Sequence, residues 1–101
     1  MAQFDVYVNN NEASVEFFPY LLDVQHNLLS SLKTRVVVPL GVDIEPIRHL
    51  NPKFKIDGES VVMSTADMAG VPLSSLGEQV DNLEENRNEI IDALDFLVNG
   101  F

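Results

Sequence analysis

Hydrophobic positions along this chain recur with two periods, and the change from one to the other divides it. Up to about residue 80 they come every second position or in short runs, the spacing of strands. Over the last twenty residues they come three and four apart, the spacing of a helix. Phe4, Val6 and Val8 alternate with Gln3, Asp5 and Tyr7, which predicts a half-buried antiparallel strand over residues 3–8. Residues 9–14 have no period and are rich in turn formers, so a mobile hairpin loop is expected. Residues 17–25 resume a strand, with Pro19 at an edge or bulge because proline has no N–H for a ladder. In residues 26–32 the adjacent Leu28 and Leu29 would fall on opposite faces of any strand through them.

Residues 35–40, Arg-Val-Val-Val-Pro-Leu, read as a central strand buried on both faces. Residues 41–50 carry Pro46 and mixed charges and are expected to form an irregular excursion. The best hairpin signal follows: 54–56 and 61–63 flank Asp57-Gly58-Glu59, and Asp-Gly tolerates the positive φ values of a tight primed turn. Residues 65–70 suit a helical turn or loop, and 71–73 and 78–80 suit short edge strands.

A helix is predicted over residues 81–101. Leu83, Ile90, Ile91, Leu94, Leu97, Val98 and Phe101 fall within a sector of about 120°, the face expected to turn inward. Asp81 or Asn82 would cap its start, Glu84 or Glu85 would complete a capping box, and Asn99-Gly100 would end it. Phe96 lies on the polar side with Glu85, Glu89 and Asp92, so it is expected to face a partner. Asp92 and Asp95 stand at the carbonyl end of the helix dipole, where negative charge is disfavoured by roughly 0.3–1 kcal/mol each.

The fold class that follows is α+β and mainly β: a twisted antiparallel sheet of about five strands closed by a C-terminal α-helix. At 101 residues a single domain over 1–101 is expected. The net charge of −10 disfavours unaided nucleic-acid binding and favours a basic protein surface as partner. Much of it is concentrated in residues 78–101, where seven carboxylates face only Arg87. The chain has no cysteine, no apolar run of membrane-spanning length and no charged-then-apolar leader, so a cytoplasmic protein off the membrane is expected.

Reactive groups do not assemble in the sequence. His26 and His49 have no carboxylate at ligand spacing, and the five glycines are scattered, which excludes the dinucleotide fingerprint and the phosphate loop. Glu84, Glu85, Glu89 and Asp92 spread over a solvated helix face. Neither a metal nor a cofactor is expected, and the chain is read as acting by binding rather than catalysis.

Six blocks of residues then carry a resemblance. QFDVY at 3–7, YLLDVQ at 20–25, RVVVPL at 35–40, TADMAGVP at 65–72, GEQV at 77–80 and EIIDALDFLVNGF at 89–101 together resemble the CcdB family of type II toxins. The resemblance implies a twisted sheet related to small SH3-like barrels, and a homodimer that binds the DNA gyrase A subunit. The cleaved gyrase–DNA complex is trapped, which inhibits the topoisomerase. It also implies a CcdA-type antitoxin whose disordered arm folds on the toxin, with autoregulation of transcription by the pair. The gyrase contacts it implies are His26, Leu28, Leu29, Asp95, Asn99, Gly100 and Phe101. His26, Asp95, Asn99 and Phe101 stand where the best-known member has serine, asparagine, tryptophan and isoleucine. The antitoxin arm is expected near Val8, Asn9, Asn10, Asn11, Glu12, Asp43 and Glu45.

Two alternatives stand beside this. One is a ribonuclease toxin on a related barrel, using Lys33, Arg35, Arg48, His49, Lys53 and Lys55. The other is a non-toxic homologue that survives as an antitoxin-binding regulator, suggested by the missing aromatic at Asn99.

Overall fold

The structure, a computed structural model, describes residues 2–29 and 31–100. Within them one antiparallel sheet contains β1 (Asp5–Asn9), β2 (Tyr20–Asp23), β3 (Thr34–Gly41), β4 (Lys53–Ile56), β5 (Glu59–Met63), β6 (Ala69–Pro72) and β7 (Leu76–Asn82). The chain then enters α1 (Arg87–Asn99). The spatial order is β4-β5-β3-β2-β1-β7, and β6 pairs with β3. The sheet curls into a half-barrel covered on one face by α1, the mainly β arrangement the periodicity predicts. The five longer expected strands and the two short edge strands are all present.

β3 organises this topology. One edge pairs with β2 from Val37 to Leu40; the other is shared, with β6 taking Thr34–Val37 and β5 taking Leu40–Gly41. That sharing explains how a central strand tolerates Pro39. Val36 spends both backbone groups toward β2, donating to Gln25 Oε1 at 3.0 Å and accepting from Val24 N at 3.0 Å. By the alternation of an antiparallel ladder Pro39 points the other way, where its carbonyl takes the N–H of Ser64 at 2.9 Å. The missing N–H of the proline therefore falls where the partner changes from β6 to β5.

The apolar core lies between sheet and helix. Val6, Leu22, Val38, Leu40, Phe54, Ile56, Val61 and Met63 meet Leu83, Ile90 and Ala93. The opposite face is also covered: Tyr7, Leu21, Val37 and Leu76 form a second, smaller cluster with Val71 packed on it. Tyr7 was expected on the solvent side of a half-buried strand and is only 5% exposed, because it packs on that face with Leu21, Val37, Leu76 and Val71. The Asp57-Gly58 hairpin forms as predicted. Both residues take positive φ, 51° and 78°, the primed turn that glycine enters without cost.

The helix begins later than its pattern suggests. Residues 76–82 pair as β7 with the free edge of β1, and Leu83 N donates to Phe4 O at 2.8 Å, so those backbone groups are already committed. Neither Asp81 nor Asn82 is the N-cap of α1; that place belongs to Asn86, without a side-chain cap bond, and no capping box forms. Asn82 instead accepts from Glu84 N at 2.8 Å, ahead of the 3-10 turn Glu84–Asn86. Gly100, at φ 77°, ends the helix as expected.

Two further expectations change. The strand predicted over 17–25 shortens to β2, because residues 11–18 close into turns, with Val15 N on Asn11 O and Phe18 N on Ser14 O. Asn9 holds that loop, donating to Ser14 Oγ and Phe18 O and accepting from Asn11 N. At the other end, Leu97 and Val98 were expected inside but are 37% and 78% exposed. α1 outruns the sheet it covers.

Candidate protein-docking surfaces

Three surfaces carry the candidate residues. The first is the turn after β2. Asn27–Leu29 form a 3-10 turn in which Leu28 is 86% exposed and Leu29 49% exposed, with Leu32 beyond them half exposed. Leu28, Leu29 and Leu32 thus place three apolar side chains at the surface beside a hydrogen-bonded turn. His26 faces solvent, and its Nδ1 accepts from Leu28 N at 3.1 Å while its carbonyl takes Leu29 N at 2.9 Å. Asn27 Oδ1 accepts from Gln3 N at 2.8 Å, tying the turn to the start of β1.

Beneath this turn lies a buried polar group. Asp23 and Arg35, 0% and 1% exposed, are paired across β2 and β3, with Arg35 Nε donating to Asp23 Oδ2 at 2.8 Å. Nη2 also lies 2.7 Å from that oxygen, but its direction is too poor for a hydrogen bond, and among the described residues Nη1 has no acceptor. Burial pushes the Asp23 carboxyl above its ordinary range; the hydrogen bonds from Arg35 and Gln25 N pull it down without cancelling the effect. Next to it, Asp5 accepts from Gln79, Asn82, Tyr7 and Ala2 N. Burial and the charge of Asp5 push the Tyr7 phenol up to about 12.

The second surface is the far end of α1. A groove of about 510 Å³ runs between the helix and the 49–52 segment, lined by His49, Asn51, Pro52, Glu89, Asp92, Asp95 and Phe96. Its loop wall is held from within: Asn51 accepts from Ile47 N and donates to Met63 O, both at 2.9 Å, and Thr65 Oγ1 donates to Leu50 O. Phe96 is therefore not a free aromatic on a polar face. It is half-buried, its ring 6.0 Å from that of His49, because the excursion folds back over the helix. The fold also brings three carboxylates and His49 to one groove, which sequence spacing did not reveal. Among the described residues none of these carboxylates is ion-paired, and no group of side chains could hold a metal ion. Asn99 and Gly100 lie exposed just beyond; Phe101 is outside the described residues.

The first surface lies beside the start of the helix, whereas the groove of the second runs along it from Glu89 to Phe96. Arg87, at its start, donates to Gln3 Oε1 and lies over Phe4, next to the 24–27 turn. From Arg87 the helix rises about 12 Å to Asp95 and about 18 Å to Asn99.

The third surface joins two loops. Val42 N donates to Phe17 O at 3.0 Å, and a side chain at Gly41 would overlap Ile44 and touch Phe18, so the 41–46 excursion sits against the end of the 10–18 loop. Asn10, Asn11, Glu12, Asp43 and Glu45 are exposed here, Val8 is half-buried and Asn9 is buried. On the outer face of the sheet a cleft of about 140 Å³ has Leu21, Val37, Pro39 and Val71 in its walls, with Asn9 and Asn11 at its rim.

The six basic candidates for an RNA-cutting site do not gather at one place. Arg35 is buried against Asp23, Lys33 precedes β3, and Lys53 and Lys55 lie on β4, next to β5 at the other end of β3. Eight residues of strand, about 26 Å, separate those ends.

The described residues form a curled antiparallel sheet covered by one helix, with apolar side chains exposed on the turn after β2. The CcdB family model, described as CcdB protein, matches residues 3–100. The chain belongs to the CcdB family, toxins of toxin–antitoxin systems. Among the described residues no helix is long and apolar enough to cross a membrane.

Proposed function

We propose that this chain is the toxin of a type II toxin–antitoxin pair that docks on the DNA gyrase A subunit and traps the cleaved gyrase–DNA complex, acting by binding rather than by chemistry of its own. The observation that carries the reading is the Leu28-Leu29 turn, which presents apolar side chains to solvent from a tightly hydrogen-bonded base. The family assignment supplies the partner class. His26, Leu28 and Leu29 form one contact region, and Asp95, Asn99, Gly100 and Phe101 the other. Their separation along α1 favours a homodimer, in which a second copy extends the footprint and covers the exposed Leu97 and Val98. A CcdA-type antitoxin arm would run over Val8–Glu12 and across Asp43 and Glu45, where the two loops meet and carboxylates await basic side chains. Its binding would release gyrase and allow the pair to regulate its own transcription from the cytoplasm.

Incubation of the purified protein with gyrase, ATP and supercoiled DNA, followed by denaturation, is expected to yield linear DNA with gyrase covalently attached. DNA that stays supercoiled or fully religated, with a folded protein present, overturns the proposal. In that event binding of the antitoxin alone would place the chain with non-toxic regulators.

A further inference from the structure

We infer that Gln25 is a positioning residue for the Leu28-Leu29 docking turn, held in turn by the buried Asp23–Arg35 pair. The inference rests on the reading of that turn as a gyrase contact. Gln25 is 5% exposed although it borders the most exposed leucines of the chain. Its amide is used at both ends: Nε2 donates to Leu29 O at 2.8 Å, and Oε1 accepts from Val36 N at 3.0 Å. Its own N–H donates to Asp23 Oδ1 at 3.0 Å, while Asp23 Oδ2 takes Arg35 Nε. The bonds form one chain from Arg35 through Asp23 and Gln25 to Leu29, anchored on β2 and β3.

The two ends of the amide do separate work. Val36 is the third residue of β3, so the bond from its N–H to Oε1 continues the strand's pairing past the end of β2. Leu29 O belongs to no strand, and Nε2 fixes where the exposed leucines point. A turn held in its binding geometry loses less freedom on docking, so the Nε2 bond should appear as affinity more than as stability.

Gln25→Glu keeps an acceptor for Val36 N and, measured at a pH where the new carboxyl is ionised, deletes the donor to Leu29, whereas Gln25→Met keeps the volume and deletes both. Both variants are expected to bind the gyrase A subunit about tenfold more weakly, the size of one lost preorganising hydrogen bond. Both should also exchange the Leu28 and Leu29 amide hydrogens faster than the parent, and Gln25→Glu should keep the parent's protection at Val37 and Val38. Parental gyrase affinity in Gln25→Glu, or unchanged Leu28 and Leu29 exchange in both variants, overturns the inference. Absence of gyrase binding by the parent protein itself overturns the functional reading instead, and hydrogen exchange alone then decides whether Gln25 sets the turn.

Discussion

The two faces of the sheet are held by different forces. Under α1 the contacts are apolar, with Val6, Leu22, Leu40, Ile56, Met63 and Ile90 each fully buried, and alternation along each strand suffices to place them. The outer face has four buried hydrophobic residues, and close by lie Asp5, Asp23, Gln25 and Arg35, none more than 6% exposed. Apolar burial is non-directional and tolerates repacking, whereas buried charges need each partner in place. The directional side of the molecule is the one that carries the proposed docking turn. Binding geometry is thus supported by hydrogen bonds, and stability mainly by area.

The comparison is broken most severely at Arg35. Arg35→Met leaves the Asp23 carboxylate buried without its cation, and a loss of about 3–5 kcal/mol is expected in denaturant unfolding. The double variant Asp23→Leu with Arg35→Met should recover most of it; equal destabilisation of single and double variants would mean that packing, not charge, holds this face. On the other face, Ile90→Ala removes a fully buried side chain from the centre of the helix contact. A loss of about 3 kcal/mol should follow, with the docking turn undisturbed in its amide spectrum.

The smallest effect is a pH dependence. The Tyr7 phenol is raised from 10.0 to about 12 in the folded chain, so the unfolded chain ionises first as pH rises. The stability tied to the neutral phenol is whole below pH 10 and is lost as pH climbs through 12, in total about 2–3 kcal/mol. Tyr7→Phe should flatten that alkaline limb, followed by unfolding curves between pH 9 and 12. An unchanged limb would remove Tyr7 from the outer-face network.

The candidate surfaces were legible in unequal measure. The Leu28-Leu29 pair stood out because adjacent leucines would fall on opposite faces of any strand, while their reading as a contact came from the resemblance to the CcdB family. The groove at the end of α1 was not, because His49, Asn51 and Pro52 reach Glu89, Asp92 and Phe96 only through a fold in the 41–52 excursion that no local period encodes. Arg35 illustrates the same limit. At the head of an apolar run it read as one of several cations, and only the pairing of β2 with β3 set it against Asp23, twelve residues away.

By itself the sequence determined what depends on neighbours in the chain: the strand alternation, the Asp57-Gly58 turn with both φ angles positive, the left-handed stop at Gly100 and the acidic balance of the last quarter. Tertiary structure decided where backbone groups found partners. The strand expected over 78–80 extended to 76–82, taking Asp81 and Asn82 from the predicted helix because the free edge of β1 offered a ladder, and Leu97 and Val98 stayed exposed at the helix's far end. Local preference differs between helix and strand by at most about 1 kcal/mol per residue, so edge pairing and burial between distant segments outweigh it.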